Sequence, residues 1–156
     1  FSSLLAHIVQ IFTKKIFGKL KKEFIETNVV RFEHHGFPLD LAALNAEKVL
    51  RCSKNPRMTL NFLDEIYEKQ DVWASGSDIN NINSKLIKMA KNYGLNDDKI
   101  NNCLNNEKLE DQILQGRIDG NKKYSIESTP TIFINEKKYD GSHDYKEFKK
   151  AIEKFL

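Results

Sequence analysis

The sequence predicts an α/β protein in which a long helical region is inserted between two short strands. Residues 28–35 and 132–134 are rich in β-branched and aromatic residues, a composition typical of strands. Between residues 40 and 124, apolar residues recur at three- and four-residue steps, which indicates amphipathic helices. The length of 156 residues, 40% of them hydrophobic and 30% charged, suits one globular domain with a buried core.

The charge pattern gives no indication of a nucleic-acid or anionic-membrane partner. The net charge is only +3, and the lysines at positions 14, 15, 19, 21, 22, 149 and 150 alternate with apolar residues at helical spacing. We expect solvated helix faces, because no aromatic stacking surface or arginine cluster accompanies these lysines. No apolar run approaches the roughly 18 residues of a membrane span, and no signal peptide is visible.

Helix and turn signals divide the rest of the chain. Residues 4–24 carry an apolar stripe that predicts a first helix. Pro130 fixes its own φ, lacks an N–H and biases Thr129 toward an extended conformation, so the last strand begins after it. The residues expected to cap the later helices at their N-termini are Asp40, Asp78, Asp97, Asn106 and Asp144.

Four stretches of the sequence together resemble the DsbA-like oxidoreductases. Residues 1–9, Phe-Ser-Ser-Leu-Leu-Ala-His-Ile-Val, resemble the strand-end aromatic and the Ser-Leu-Thr-Cys-x-His-Cys helix start of that family. Residues 17–24, Phe-Gly-Lys-Leu-Lys-Lys-Glu-Phe, are similar to its Phe-Pro-Lys-Leu-Lys-Lys-Glu segment. The others are Phe-Pro-Leu-Asp at 37–40, and Thr-Pro-Thr-Ile-Phe-Ile-Asn at 129–135 with Gly141 following.

The resemblance implies a thioredoxin-like sheet with an inserted helical domain. Residues 1–39 and 125–156 would form the thioredoxin-like domain, and residues 40–124 the insertion. The first central strand is missing from the chain as given, and the resemblance places it upstream of Phe1. Without it, the two predicted strands lack a shared neighbour.

The resemblance also assigns the active site, and there the sequence departs from the family. The two catalytic cysteine positions fall on Ala6 and Val9, so we expect the chain to be redox-inactive as written. A cis Thr129–Pro130 bond is implied, facing the first helical turn. The residues implied to bind substrate are His7, Ile8, Thr129 and Pro130. Asn135-Glu136 replaces the usual Asn-Gly hairpin signal, so we expect a longer turn.

The only two cysteines of the sequence lie inside the predicted insertion. Neither Cys52 nor Cys103 stands at a helix N-terminus, where the dipole lowers a thiol pKa. The resemblance implies a structural disulfide between them, as in some DsbA-like proteins of alphaproteobacterial type; two unrelated buried thiols are the alternative. A disulfide indicates an oxidising compartment, and the resemblance implies a periplasmic or otherwise exported protein.

No other pattern of catalytic chemistry stands out. His34 and His35 are adjacent on a predicted strand and point to opposite faces, so they do not bind one ion even together with His143. We expect no metal and no cofactor. Glu110 and Asp111 are expected to be ordinary charges on a helix surface.

Three functions are compatible with the sequence. The resemblance implies the first, disulfide bond formation in exported proteins. The second is a redox-dead peptide-binding or chaperone module that keeps the groove around Thr129 and Pro130. The third is a glutathione-using isomerase or transferase, in which Ser2 or Ser3 activates the thiol. The implied partners are unfolded or extended polypeptides and a membrane redox partner, with no nucleic acid.

Overall fold

A computed structural model describes residues 16–156. The chain divides into two compact units, Phe1–His34 with Ile126–Leu156, and His35–Ser125. The insertion predicted at residues 40–124 lies within the second unit. Ser2, Ser3, Ala6, His7, Ile8 and Val9, on which several of our predictions depend, lie outside the described residues.

The described part of the first unit contains two helical segments and a hairpin. The described part of its first helix, here α1, comprises Gly18–Leu20 and a π-helical turn, Lys21–Ile25. Strands β1 (Phe133–Ile134) and β2 (Lys137–Lys138) pair antiparallel. The last helix is Tyr145–Glu153, and Asp144 caps it as predicted, accepting from the Lys146 N–H. We call this helix α8, because six helices of the second unit precede it.

The core of the first unit lies between α1 and α8. Leu20 and Phe24 of α1 pack with Phe148 and Ile152 of α8, and all four side chains are buried. Glu23 adds a polar link, because its carboxylate accepts hydrogen bonds from the Tyr145 hydroxyl and the Lys149 ammonium. The sequence periodicity of both helices thus produces one shared apolar interface.

The strand predicted at residues 28–35 is wrong for this structure. Asn28 has a positive φ of 59°, residues 29–30 form a bend, and residues 31–35 have no regular secondary structure. The sheet of the described residues contains β1 and β2 alone, so this segment has no ladder partner. Side-chain composition favours a strand, but the strand forms only where a neighbour supplies hydrogen bonds. Phe32 instead packs its ring 5.0 Å from that of Phe17.

The second unit is entirely helical in its regular elements. Its helices are α2 (Leu41–Leu50), α3 (Pro56–Glu68), α4 (Gln70–Trp73), α5 (Ile79–Lys91), α6 (Asp97–Leu104) and α7 (Glu107–Tyr124).

Helix capping in this unit follows the predictions with one exception. The side chains of Asp40, Asp78 and Asn106 each accept from a first-turn N–H, which confirms them as N-caps. Asp97 was predicted as the cap of α6, and this is wrong. Asn96 accepts from the Lys99 N–H and caps the helix one residue earlier, because an Asn side chain serves this role as well as Asp.

Helix α2 forms the centre of the second unit. Its last seven residues, including the polar Asn45, Glu47 and Lys48, are all buried. Lys48 is 3% exposed and donates to the Glu110 carboxylate on α7 at 2.8 Å. The expectation that Glu110 is an ordinary surface charge is therefore wrong, because it is the ion-pair partner of a buried lysine.

None of the helices within residues 16–156 is both long and apolar enough to cross a membrane.

Candidate functional site

The candidate site centres on the loop of residues 128–131. Its Thr129–Pro130 peptide bond is cis. The Thr131 hydroxyl donates to the Ser128 carbonyl oxygen at 2.5 Å and closes the loop on itself. Thr129 and Pro130 are both partly exposed, so the loop is open to a ligand.

A hairpin directly after the loop holds it in place. Phe133 pairs with Lys138 and Ile134 with Lys137, and the Tyr139 N–H donates to the Ile132 carbonyl at 2.8 Å.

The turn of this hairpin has two residues, so the predicted longer turn is wrong. Asn135 and Glu136 have φ values of 46° and 66°, the left-handed pair that a two-residue type I′ turn requires. Asn adopts this region readily, whereas Glu does so at a cost of about 1 kcal/mol. The pairing register of β1 and β2 therefore outweighs the preference of Glu136 for a negative φ.

Tyr139 anchors the hairpin to α8. Its ring lies 4.0 Å from the Phe148 ring, and its hydroxyl donates to the Ser142 carbonyl. Burial, and then the carboxylates of Glu147 and Asp144, raise the pKa of Tyr139, so the hydroxyl stays a neutral donor. A side chain at Gly141 would collide with this ring, which explains the glycine. The sequence predicts that Tyr139 and Gly141 end the hairpin, but it did not indicate that the Tyr139 ring packs on Phe148.

Within the described part of the chain, the main chain of the loop has hydrogen-bonding groups without a backbone partner. Among residues 16–156, the N–H and C=O of Thr129 form no backbone hydrogen bond. Main-chain groups that have no backbone partner within the described residues, on a partly exposed loop, are groups with which a peptide strand can pair. Of the predicted substrate-binding residues, the structure describes Thr129 and Pro130, whereas His7 and Ile8 lie outside the described range.

The two cysteines form a disulfide in the second unit. Cys52 follows the C-terminus of α2, Cys103 is in the last turn of α6, and their Cα atoms are 6.1 Å apart. Cys52 is 4% exposed and belongs to the apolar core of the insertion. Since the sequence has two cysteines, the chain holds no free thiol.

Within the described part of the chain, no group of three or more His, Cys, Asp and Glu residues is arranged to hold a metal ion.

The class of protein defined by this fold and by the Thr129–Pro130 loop is identified by comparing the chain with known protein families. A family model described as Thioredoxin matches residues 10–154. The match spans most of the chain, which therefore belongs to the thioredoxin family.

Within that family, the relatives of the chain are DsbA-like. Disulfide bond formation protein D of Bacillus subtilis (strain 168) is 29% identical over 156 residues, which cover 94% of this chain and 66% of the relative. A relative from Rickettsia typhi is 26% identical over 120 residues, which cover 77% of this chain and 43% of that protein. The matched part of the chain thus spans between 43% and 66% of the length of these relatives.

Solved structures agree with this placement. The crystal structure of Wolbachia pipientis alpha-DsbA1 matches with a TM-score of 0.81 and 26% sequence identity. The match covers 93% of this chain and 77% of the Wolbachia chain. The oxidised form of BdbD from Bacillus subtilis gives 0.68 at 29% identity, with coverages of 93% and 78%. These matches confirm the predicted fold class, a thioredoxin-like fold with a helical insertion, and the resemblance to the DsbA-like family.

Proposed function

We propose that this chain is a redox-inactive member of the DsbA-like disulfide oxidoreductases. The observation that carries the proposal is the state of its sulfur atoms. Both cysteines are joined in the disulfide Cys52–Cys103, and Ala6 and Val9 stand at the positions where the family has its dithiol. Exchange begins with attack by a thiolate, which this chain does not have. For the same reason we expect no electron exchange with the membrane redox partner that the family resemblance implies.

The disulfide itself is poorly placed to act as the oxidant. Cys52 is buried in the apolar core, so an incoming thiolate cannot reach its sulfur without opening the insertion. Cys103 is the seventh of the eight residues of α6, far from the helix end that would stabilise a leaving thiolate. Its position suits a structural role.

Oxidation of a dithiol peptide and reduction of insulin test the redox claim. We expect no turnover above the uncatalysed background from the chain as written. Turnover that persists in the double variant Cys52→Ser with Cys103→Ser would overturn the claim, because it would require a chemistry that uses no cysteine of the chain. Turnover abolished by that variant would also contradict it and would assign the activity to the disulfide.

Restoring the missing thiols tests whether the rest of the active site is intact. We expect the double variant Ala6→Cys with Val9→Cys to gain exchange activity, with a first thiol whose pKa lies below the ordinary value of about 8.5. Ala6→Cys alone is the control, since it should form mixed disulfides but not complete a cycle. A folded double variant whose first thiol titrates at the ordinary value would contradict an intact electrostatic environment.

A second candidate function is peptide binding without redox chemistry, and the main chain at Thr129 favours it, because its N–H and C=O form no backbone hydrogen bond within residues 16–156. An extended polypeptide can pair with these two groups, and pairing of this kind needs no sulfur. The partly exposed Pro130 and Thr129 side chains supply apolar contact beside the pairing groups. The proposed ligands are unfolded or extended polypeptides.

Main-chain pairing can be tested with an extended peptide and with the same peptide N-methylated at every second residue. The methylated form lacks every second main-chain N–H donor. We expect the amide signals of residues 128–131 to shift on addition of the first peptide, and the N-methylated form to bind about tenfold more weakly. Equal affinities, or shifts confined to other residues, would exclude main-chain pairing at this loop.

We further propose an exported, oxidising location for the protein, because a disulfide within a folded core persists where thiols are not kept reduced. The proportion of bridged Cys52 and Cys103 in protein isolated from its native compartment is the test. Two alkylatable thiols in freshly trapped native protein would contradict this location.

A further inference from the structure

The sequence contains two Asp-Gly steps, and the structure places them in opposite environments. Asp119–Gly120 lies inside helix α7, whereas Asp140–Gly141 lies in the exposed connection between β2 and α8. Glycine has no Cβ, so its main-chain nitrogen can be approached closely by the side chain of the residue before it. An Asp-Gly step is therefore a place where the main chain can react with the preceding carboxyl group.

Hydrogen bonds hold the first of these steps in its helical conformation. Gly120 is in the interior of α7, so its N–H belongs to the hydrogen-bond ladder of the helix. The Asp119 carboxylate accepts from Gln115 Nε2 at 2.8 Å. A reaction between the two groups would require the helix to open locally, which has a cost in free energy. We therefore expect this step to be unreactive in the folded protein.

The second step has none of these restraints. Within residues 16–156, the main-chain N–H and C=O groups of Asp140 and Gly141 form no hydrogen bond, and the Asp140 carboxylate has no hydrogen-bond or ion-pair partner. Both residues are exposed and lie outside regular secondary structure. The Gly141 nitrogen and the Asp140 carboxyl group can therefore approach each other without breaking a hydrogen bond between these residues and the rest of the described chain.

We propose that Asp140–Gly141 is a site of spontaneous isoaspartate formation. The Gly141 nitrogen attacks Asp140 Cγ and a C–N bond forms, while the C–OH bond of the protonated carboxyl breaks and the hydroxyl leaves with the amide proton as water. Water then opens the cyclic imide. Cleavage of its bond to Cγ restores aspartate, whereas cleavage of its bond to the main-chain carbonyl carbon gives isoaspartate. One water is released and one is consumed, so no other reactant is needed.

Isoaspartate at this position disturbs the contact that anchors the hairpin to α8. The new linkage runs through the side-chain carbonyl and adds one carbon to the main chain between Tyr139 and Gly141. The turn has no room for it, because a Cβ at Gly141 would already collide with the Tyr139 ring, and the Tyr139 hydroxyl donates to the Ser142 carbonyl across the same turn. We expect the Tyr139 ring to separate from Phe148, which loosens the hairpin that follows the Thr129 loop.

The two Asp-Gly steps of the unaltered chain provide an internal comparison. The folded protein is aged in heavy-oxygen water and digested with trypsin in ordinary water, which gives the peptides 118–122 and 139–146. Opening of the imide introduces one heavy oxygen, and electron-transfer fragmentation distinguishes isoaspartate from aspartate. Relative to protein digested before ageing, we expect isoaspartate to accumulate at least about tenfold faster in 139–146, because α7 must open at the other step. Equal rates, or no accumulation in 139–146, would overturn the proposal.

Two matched variants identify the reacting residue. Asp140→Glu keeps the charge but requires a larger ring, so accumulation in 139–146 should disappear. Asp119→Glu, the same change in α7, should leave it unaltered. Accumulation that persists in Asp140→Glu would refute the assignment to Asp140. The proposed function plays no part in this reaction, which uses neither a cysteine nor a bound peptide.

Hydrogen exchange of the separated isoaspartyl protein tests the structural consequence. The Tyr139 N–H donates to the Ile132 carbonyl in the hairpin, and its exchange should be faster in the isoaspartyl form than in fresh protein. Unchanged exchange of this amide would refute the loosening of the hairpin.

Discussion

Removal of the Glu110 carboxylate should destabilise the helical unit far more than its surface position suggests. Lys48 is 3% exposed and Glu110 is 40% exposed, and their charged atoms are 2.8 Å apart. At this distance the attraction is about 6 kcal/mol for an effective dielectric constant near 20, and desolvation of the lysine offsets part of it. Glu110→Ala leaves a buried ammonium without its counter-charge. We expect it to lower the free energy of unfolding by about 3 kcal/mol, the low end for a broken buried pair, because Glu110 is partly solvated.

The reverse change should be much milder. Lys48→Met removes the buried charge, keeps most of the side-chain volume, and leaves Glu110 able to reach water. We expect a cost below about 1 kcal/mol, since an apolar replacement of a buried ion pair is often nearly neutral. Glu107→Ala is the matched control, because Glu107 is also in the first turn of α7 but exposed, and it shares the favourable interaction with the helix dipole.

Urea unfolding followed by tryptophan fluorescence measures these differences. Trp73 is the only tryptophan of the sequence, and its buried indole reports on the helical unit. With a urea slope of about 2–3 kcal/mol/M, Glu110→Ala should lower the midpoint by about 1–1.5 M. Equal effects of Glu110→Ala and Glu107→Ala, or a Lys48→Met variant less stable than Glu110→Ala, would refute the reasoning.

Three further predictions concern pH, glycine positions and the disulfide. Burial, and then the charge of Glu47, raise the pKa of Tyr67 to about 12; the unfolded chain therefore loses this proton first, and the resulting loss of stability between about pH 10 and pH 12 should be smaller in Tyr67→Phe. Gly116→Ala should stabilise by about 0.5–1 kcal/mol, since its new Cβ meets nothing within 4 Å in a helix, whereas Gly94→Ala at φ +76° should destabilise; thermal unfolding of both variants checks the sign. Reduction of the disulfide, which closes a separation of 51 residues, should cost about 4 kcal/mol and lower the melting temperature, and an unchanged melting temperature would contradict this.

Local signals in the sequence predicted the elements that depend on local chemistry. The caps at Asp40, Asp78, Asn106 and Asp144 were predictable because a short polar side chain bonds to N–H groups two or three residues away. The helices of the insertion followed from apolar periodicity, and the family resemblance supplied their arrangement.

Pairings between distant segments could not be predicted in the same way. The segment at residues 28–35 has strand composition but no partner strand among the described residues, and composition cannot supply the partner. Glu136 adopts a left-handed conformation because the β1–β2 register requires a two-residue turn there, against its own preference.

The sequence alone therefore determined the helical pattern, the fold class through its family resemblance, and the absence of a thiol pair at positions 6 and 9. Only the tertiary structure placed the buried Lys48 beside Glu110. The physical reason is the distance along the chain over which each kind of interaction acts. Capping and periodicity act within a few residues of the chain, whereas ion pairs, cavities and strand partners arise when packing brings together residues far apart in sequence, such as Lys48 and Glu110, which are 62 positions apart.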